Sequence, residues 1–155
     1  VTNVNQVVTT SNIANYYYSY SWGGTGSGDG QLWWPRIIRF DANYKLYVAD
    51  CGNFRIQVFE TNGAYVRKWG ARGTSNGAFD TDIGGMGISS DFKVYASDSQ
   101  RVQVFTTNGQ YLTKWGTSGA GNGQFDGSIG AGALAVENAN SIIVEIKIST
   151  PFFPG

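Results

Sequence analysis

FRIQVFETNGAYVRKWG at residues 54–70 and RVQVFTTNGQYLTKWG at residues 101–116 are close copies of each other. Within each copy the side chains alternate. Ile56/Val58 and Val102/Val104 fall on one face, Gln57/Phe59 and Gln103/Phe105 on the other, as a strand requires. Asn62-Gly63 and Asn108-Gly109 follow, and Asn-Gly between two strand-like runs is a strong signal for a type I′ hairpin turn. Each copy therefore reads as strand, tight turn, strand.

Outward from this pair the repetition continues. Trp-Gly recurs at Trp22-Gly23, Trp69-Gly70 and Trp115-Gly116, at spacings of 47 and 46 residues. A Gly-rich loop follows each: GTGSGDGQL (24–32), ARGTSNGAF (71–79) and TSGAGNGQF (117–125). Then come an apolar segment (37–41, 84–89, 131–137) and a second strand-like run: KLYVAD (45–50), KVYASD (93–98) and, more loosely, SIIVE (141–145). One period is four antiparallel strands, termed a, b, c and d in chain order. Four strands at a period of about 40–50 residues are the signature of a β-propeller blade, so the fold class is all-β.

These residues resemble NHL repeats, whose pattern includes V-Y-V-A-D, N-x-R-I-Q-V-F and a closing W-G. LYVAD, Asn53, Arg55 to Phe59, Gly63 and Trp69-Gly70 carry the resemblance, and residues 92–116 carry it nearly as well. Ile37 and Asp82 depart from the pattern, and the third repeat breaks off after strand b. The resemblance implies a propeller, usually six-bladed, that binds proteins, RNA or carbohydrates, with enzymes in the minority.

Composition narrows the function. The chain has 155 residues with 22 Gly, 9 Tyr, 9 Phe and 5 Trp, and 11 basic residues balance 11 acidic ones. Zero net charge removes the basic stripe that general nucleic-acid binding needs. No apolar run approaches the roughly 20 residues of a membrane helix. There is no His, which excludes Ser-His-Asp triads, Cys-His nucleophiles and His-metal sites. Cys51 is the single cysteine and reads as a structural thiol in the b–c turn. The start at Val1 and the polar composition suggest a secreted, extracellular protein.

The two ends of the chain carry the functional expectation. Residues 5–10 (NQVVTT) align with IQVFET as a strand c, which places Gln6 over Gln57. Residues 16–22 (YYYSYSW) align as a strand d, with Tyr18 over Tyr65 and Trp22 over Trp69. Residues 116–148 supply a final a and b, and 149–155 form a tail. The single partial propeller domain, 1–155, thus divides into c-d (5–22), two full blades (23–69 and 70–115) and a-b (116–148). That makes three blade equivalents, against roughly 4–8 in propellers. The c-d end of one copy is expected to complete the a-b end of another by strand addition, giving a closed ring or an open filament. A fragment of a longer propeller is the alternative. The expected assembly interface is Gln6, Val7, Val8, Tyr16, Tyr18, Tyr20, Trp22, Ala133, Leu134, Val136, Ile142, Ile143, Val144 and Ile146.

Other constellations are weaker. Asp50 with Arg55 and Asp98 with Arg101 recur at matching positions and read as structural ion pairs, because a catalytic residue is needed only once. Glu145 stands in for the acid in the third repeat. Asp80-Thr-Asp82-Ile-Gly84 matches a calcium loop only in part, so no metal, cofactor or catalytic residue is assigned. The Gly-rich loops lie between strands, not between a strand and a helix, so a phosphate-binding role fails its context. Tyr16, Tyr17 and Trp33 are aromatics that do not recur and are candidates for a special contact. The expected function is therefore a non-enzymatic, self-assembling structural protein, with a propeller that binds a protein or glycan as the alternative.

Overall fold

The computed structural model describes residues 5–6, 16–17, 21–98, 100–119, 121–125, 134–138 and 141–144. The chain runs β1 (Asn5–Gln6), β2 (Tyr16–Tyr17), β3 (Pro35–Phe40), β4 (Leu46–Asp50), a short 3₁₀ turn (Cys51–Asn53), β5 (Arg55–Phe59) and β6 (Tyr65–Trp69). It continues with β7 (Gly85–Ile88), β8 (Lys93–Ser97), β9 (Val102–Thr106), β10 (Tyr111–Trp115), β11 (Thr117–Ser118), β12 (Gln124–Phe125), β13 (Leu134–Asn138) and β14 (Ser141–Val144).

Two four-stranded antiparallel sheets, β3-β4-β5-β6 and β7-β8-β9-β10, are the two full repeats in a-b-c-d order. β13 and β14 pair antiparallel as an a-b unit, and β1 pairs antiparallel with β2. The inner strand β7 runs beside β3 on one side and β13 on the other. Inner strands side by side, with later strands stepping outward, are the arrangement of propeller blades.

Alternation explains the packing. In the first blade Tyr47, Ala49, Ile56 and Val58 face the second, where Met86, Val94, Ala96 and Phe105 meet them in one buried cluster. The opposite face of the second blade puts Tyr95, Val102 and Val104 against Phe125 and Leu134. The opposite face of the first puts Leu46, Val48 and Phe59 under Trp22 and Leu32. Strands b and c are buried on both faces, which is why their polar residues, Gln57 and Gln103, are fully enclosed.

The hairpin turns differ from the sequence expectation. A type I′ turn needs positive φ at both central residues, yet Asn62 and Asn108 are not among the positive-φ positions, whereas Gly63 and Gly109 have φ of +86° and +85°. Gly63 N–H donates to Glu60 O and Glu60 N–H to Ala64 O, and residues 106–110 repeat both bonds. The connection is one residue longer, with the glycine in the left-handed position that closes the turn. Its lack of a side chain is used: a Cβ at Gly63 would clash with the Trp22 ring, and one at Gly109 would stand 2.7 Å from Trp69 Cδ2.

Candidate functional site

The recurring Asp, Arg and Gln of strands b and c have one task, which is to hold the Gly-rich loop that enters their own blade. Asp50 Oδ2 accepts from Arg55 Nε at 2.7 Å, from Asn53 Nδ2 at 2.9 Å and from Gln57 Nε2 at 3.0 Å. The rest of the Arg55 guanidinium donates to loop carbonyls: Nη1 to Ser27 O at 2.7 Å, Nη2 to Gly28 O and Gln31 O at 2.9 Å each. Gln57 works both ways, donating to Gln31 O at 2.5 Å and accepting from Gly30 N–H at 3.1 Å. Asp50 Oδ1 accepts from Trp33 N–H, at the entry to β3, at 2.6 Å.

The second blade repeats this clamp. Arg101 Nε donates to Asp98 Oδ2 at 3.1 Å, its Nη1 and Nη2 to Thr74 O and Ala78 O. Gln103 donates to Ala78 O at 2.7 Å and accepts from Gly77 N–H at 2.9 Å. Burial pushes the Asp98 carboxyl up from its ordinary range, against the opposing pull of Arg101. The ion pairs read from sequence are therefore present, and their partners are the backbone of the crossover loop. Each buried pair thus ties strands b and c of its blade to the loop that enters it.

The third loop has the same internal bonds. Gly119 N–H donates to Phe125 O at 2.9 Å, as Gly73 does to Phe79 O and Gly26 to Leu32 O. Gly121 N–H donates to Gln124 Oε1 at 2.9 Å, as Gly28 does to Gln31 Oε1. Gly123 has φ of +73°, matching Gly30 at +77° and Gly77 at +84°. Among the described residues, however, no strand-c Arg or Gln reaches this loop.

A second incomplete feature lies at the other end. Trp22 packs tilted against Phe59 with ring centroids 4.6 Å apart, just as Trp69 lies tilted 5.9 Å from Phe105. Trp22 thus occupies, over the first blade, the place of a preceding blade's strand d. It covers the outer half of that face only. On the inner half Ile38 pairs with Val48 and Phe40 with Leu46, and they are 53% and 58% exposed. Of their counterparts, paired with Ala96 and Val94, Met86 lies in the core between the blades and the half-buried Ile88 packs against it.

The expected interface residues divide accordingly. Gln6 and Tyr16 lie in β1 and β2 and pair with each other. The repeat alignment, with Gln57 opposite Lys68, would set Gln6 opposite Ser21, so this pairing is out of register with the full blades. A strand c without its strand b lacks the neighbour that fixes register. Leu134 and Val136 pack within the chain on the second blade, over Gly85 and Gly87. Ile142, Ile143 and Val144 lie in β14, paired with Val136, Ala135 and Leu134. Val7, Val8, Tyr18, Tyr20, Ala133, Glu145 and Ile146 lie outside the described residues. Trp33 lies against Gly52, which donates to its carbonyl at 2.8 Å, and stacks on the exposed Trp34.

Two remaining features are inward-looking. Cys51 is buried, with its thiol shared between Ala49 O and Ile83 O, and burial raises its pKa above the ordinary thiol value. A polar cleft of about 150 Å³ between the blades is lined by Asp41, Asn43, Lys45, Tyr47, Arg67 and Asn108, among others. Its groups satisfy one another: Asp41 accepts from Asn43 N–H, Lys45 N–H and the Tyr47 hydroxyl, and Arg67 donates to Thr107 O and the Asn108 side chain. Burial, with Asp41 beside it, raises the Tyr47 pKa far above its ordinary value.

No family model matches the chain. Over 76 residues it is 36% identical to the RING finger protein nhl-1 of Caenorhabditis elegans, a match that takes in 49% of this chain and 8% of that protein. The chain therefore aligns with only a small part of the curated relative it resembles. Blade-like four-stranded repeats with a local likeness to nhl-1 are what fold and comparison establish together.

Proposed function

We propose that this protein is a structural subunit that assembles by completing split blades, the a-b strands of one copy joining the c-d strands of another. The exposed pair Ile38 and Phe40 carries the reading. Trp22 already holds the strand-d position over the first blade, so the uncovered part of that face is where strands a and b of the same preceding blade belong. Strands β13 and β14 are an a-b unit without a c-d continuation among the described residues. Covering the exposed halves of Ile38 and Phe40 contributes on the order of 1–2 kcal/mol each, and main-chain pairing along β14 adds specificity.

Two copies bring six blade equivalents, within the roughly 4–8 that propellers use. A rotation that closes gives a ring, and one that does not gives a filament. The likeness to nhl-1 and the LYVAD and RIQVF runs support repeats of NHL type. The extracellular setting belongs to the same proposal and rests on the charge-poor, Tyr- and Trp-rich composition. Light scattering on the purified chain tests the reading. The expected mass is twice the 16.8 kDa of one chain or a higher multiple, and a well-folded monomer at every concentration overturns it.

A further inference from the structure

We infer that the third Gly-rich loop, residues 117–125, is a docking site for Gln6 of a second copy, which supplies the clamp that Gln57 and Gln103 supply within the chain. This rests on the split-blade reading and names the polar contact that sets the register of the joint.

In both full blades the strand-c glutamine bonds the same two loop atoms. The N–H of Gly30 or Gly77 donates to its Oε1, and the carbonyl of Gln31 or Ala78 accepts from its Nε2. The third loop holds the same shape, with Gly123 and Gln124 at those two positions. Its N–H and C=O are therefore set out as a donor–acceptor pair spaced for one primary amide. Both glutamines that fill such pairs are fully buried, so the site in a completed blade is closed to water. An amide with both a donor and an acceptor is the group that satisfies it, and leaving the pair unmet in an enclosed blade is costly.

Gln6 is the glutamine that the repeat assigns. NQVV at 5–8 repeats the IQVF of strand c, and β1 pairs antiparallel with β2, though in a register other than that of c and d in the full blades. In a composite blade the loop and β13-β14 come from one copy, β1 and β2 from the other, and Gln6 meets Gly123 and Gln124. This requires the β1-β2 hairpin to exchange its Gln6–Tyr16 pairing for the register of the full blades once β14 lies beside β1. Residues 1–10 contain no Arg or Lys, so the joint has the amide half of the clamp and not its ion pair. It is accordingly the separable contact of the assembly, weaker than the blades it connects.

The test uses the full chain. Sedimentation velocity compares wild type with Gln6→Ala, and a short bis-maleimide is added to a mixture of Asn5→Cys and Asn122→Cys copies, which keep Gln6, the native Cys51 being buried. The expected result is a rise in the dissociation concentration of Gln6→Ala of roughly tenfold or more. The thermal melt at concentrations where both are dissociated should be unchanged, because both full blades keep their own glutamines, and a cross-linked dimer should form in the mixture. Wild-type assembly with undiminished Gln6→Ala assembly, or without the cross-link, overturns this inference and leaves the split-blade reading standing. A wild-type monomer at every concentration overturns both.

Discussion

Arg55 Nε sits 2.7 Å from Asp50 Oδ2, with the two side chains only 7% and 0% exposed. Every remaining guanidinium bond goes to a carbonyl of the loop that enters the blade. Removing Arg55 therefore leaves a buried carboxylate without its counter-charge and takes a donor from three carbonyls, of which Gln31 O keeps its bond from Gln57. Arg55→Met is expected to cost about 3–5 kcal/mol, read as a lower urea midpoint at unchanged slope. Arg101→Met should cost less, about 1–3 kcal/mol, because its contact to Asp98 is longer, 3.1 Å against 2.7 Å. Equal losses would mean that the two clamps are equivalent.

Asp98 also sets a pH dependence. Its folded pKa is raised above the unfolded value of 3.8, chiefly by burial. The folded state thus prefers the protonated carboxyl, and the resulting stability is complete below pH 3.8 and lost as pH rises through the folded pKa. Asp91 has the opposite sign, since the hydrogen bonds from Lys93 and Ser89 lower its pKa. Its contribution is present above pH 3.8 and lost as pH falls through its folded value. Asp98→Asn should remove the first of these slopes and keep the second. Urea titrations at several pH values between 3 and 7 would show the wild-type advantage over Asp98→Asn shrinking as pH rises. A constant difference would contradict the assignment.

Much of this was legible in the residues themselves. The alternation in RIQVF and RVQVF and the repeated Trp-Gly set the strand order and the period, because both report local geometry that a repeat must reproduce. The turn type was not legible: Asn-Gly fits both a two-residue turn and the longer one, and only the main-chain bonds of Glu60 and Thr106 separate them. The task of Gln57 and Gln103 was hidden for a related reason. A glutamine alternating with valine reads as the polar face of a strand, and its burial appears only when the Gly-rich loop folds back over it. Its recurrence at one place in both copies was the available signal. The uncovered Ile38 and Phe40 were illegible, because exposure of a strand-a residue depends on what packs against the sheet.

The seat of β13 gives a third prediction. Gly85 and Gly87 leave room for Leu134 and Val136: a Cβ at Gly85 would stand 2.8 Å from Leu134 Cβ, and one at Gly87 would overlap Val136 Cγ2. Gly87 has no positive φ, so alanine is penalised there by packing alone. Gly87→Ala is expected to cost about 1–3 kcal/mol and to speed amide exchange in residues 134–144 while β4 and β5 keep their protection. Gly24→Ala is the control, because a Cβ there meets nothing within 4 Å. If both variants melt alike, β13 is not seated on those glycines.

The exposed inner face of β3 gives the fourth. Ile38 and Phe40 lie on the same face as the buried Val48 and Leu46, but in the single chain more than half of each stays in water. A charge at Phe40 therefore desolvates nothing within one copy, and Phe40→Asp should alter monomer stability by no more than about 0.5 kcal/mol. At the matching position of the second blade, Ile88→Asp would place a carboxylate against the core between blades and should cost several-fold more. The same Phe40→Asp change in an assembled pair buries an unpaired carboxylate under strands a and b of the neighbouring copy. It should hold the chain as a folded monomer at concentrations where wild type is multimeric. Light scattering together with a thermal melt separates the outcomes: a folded monomer supports the β3 face as the seat of the partner. A multimer of undiminished mass shows that the joint lies elsewhere.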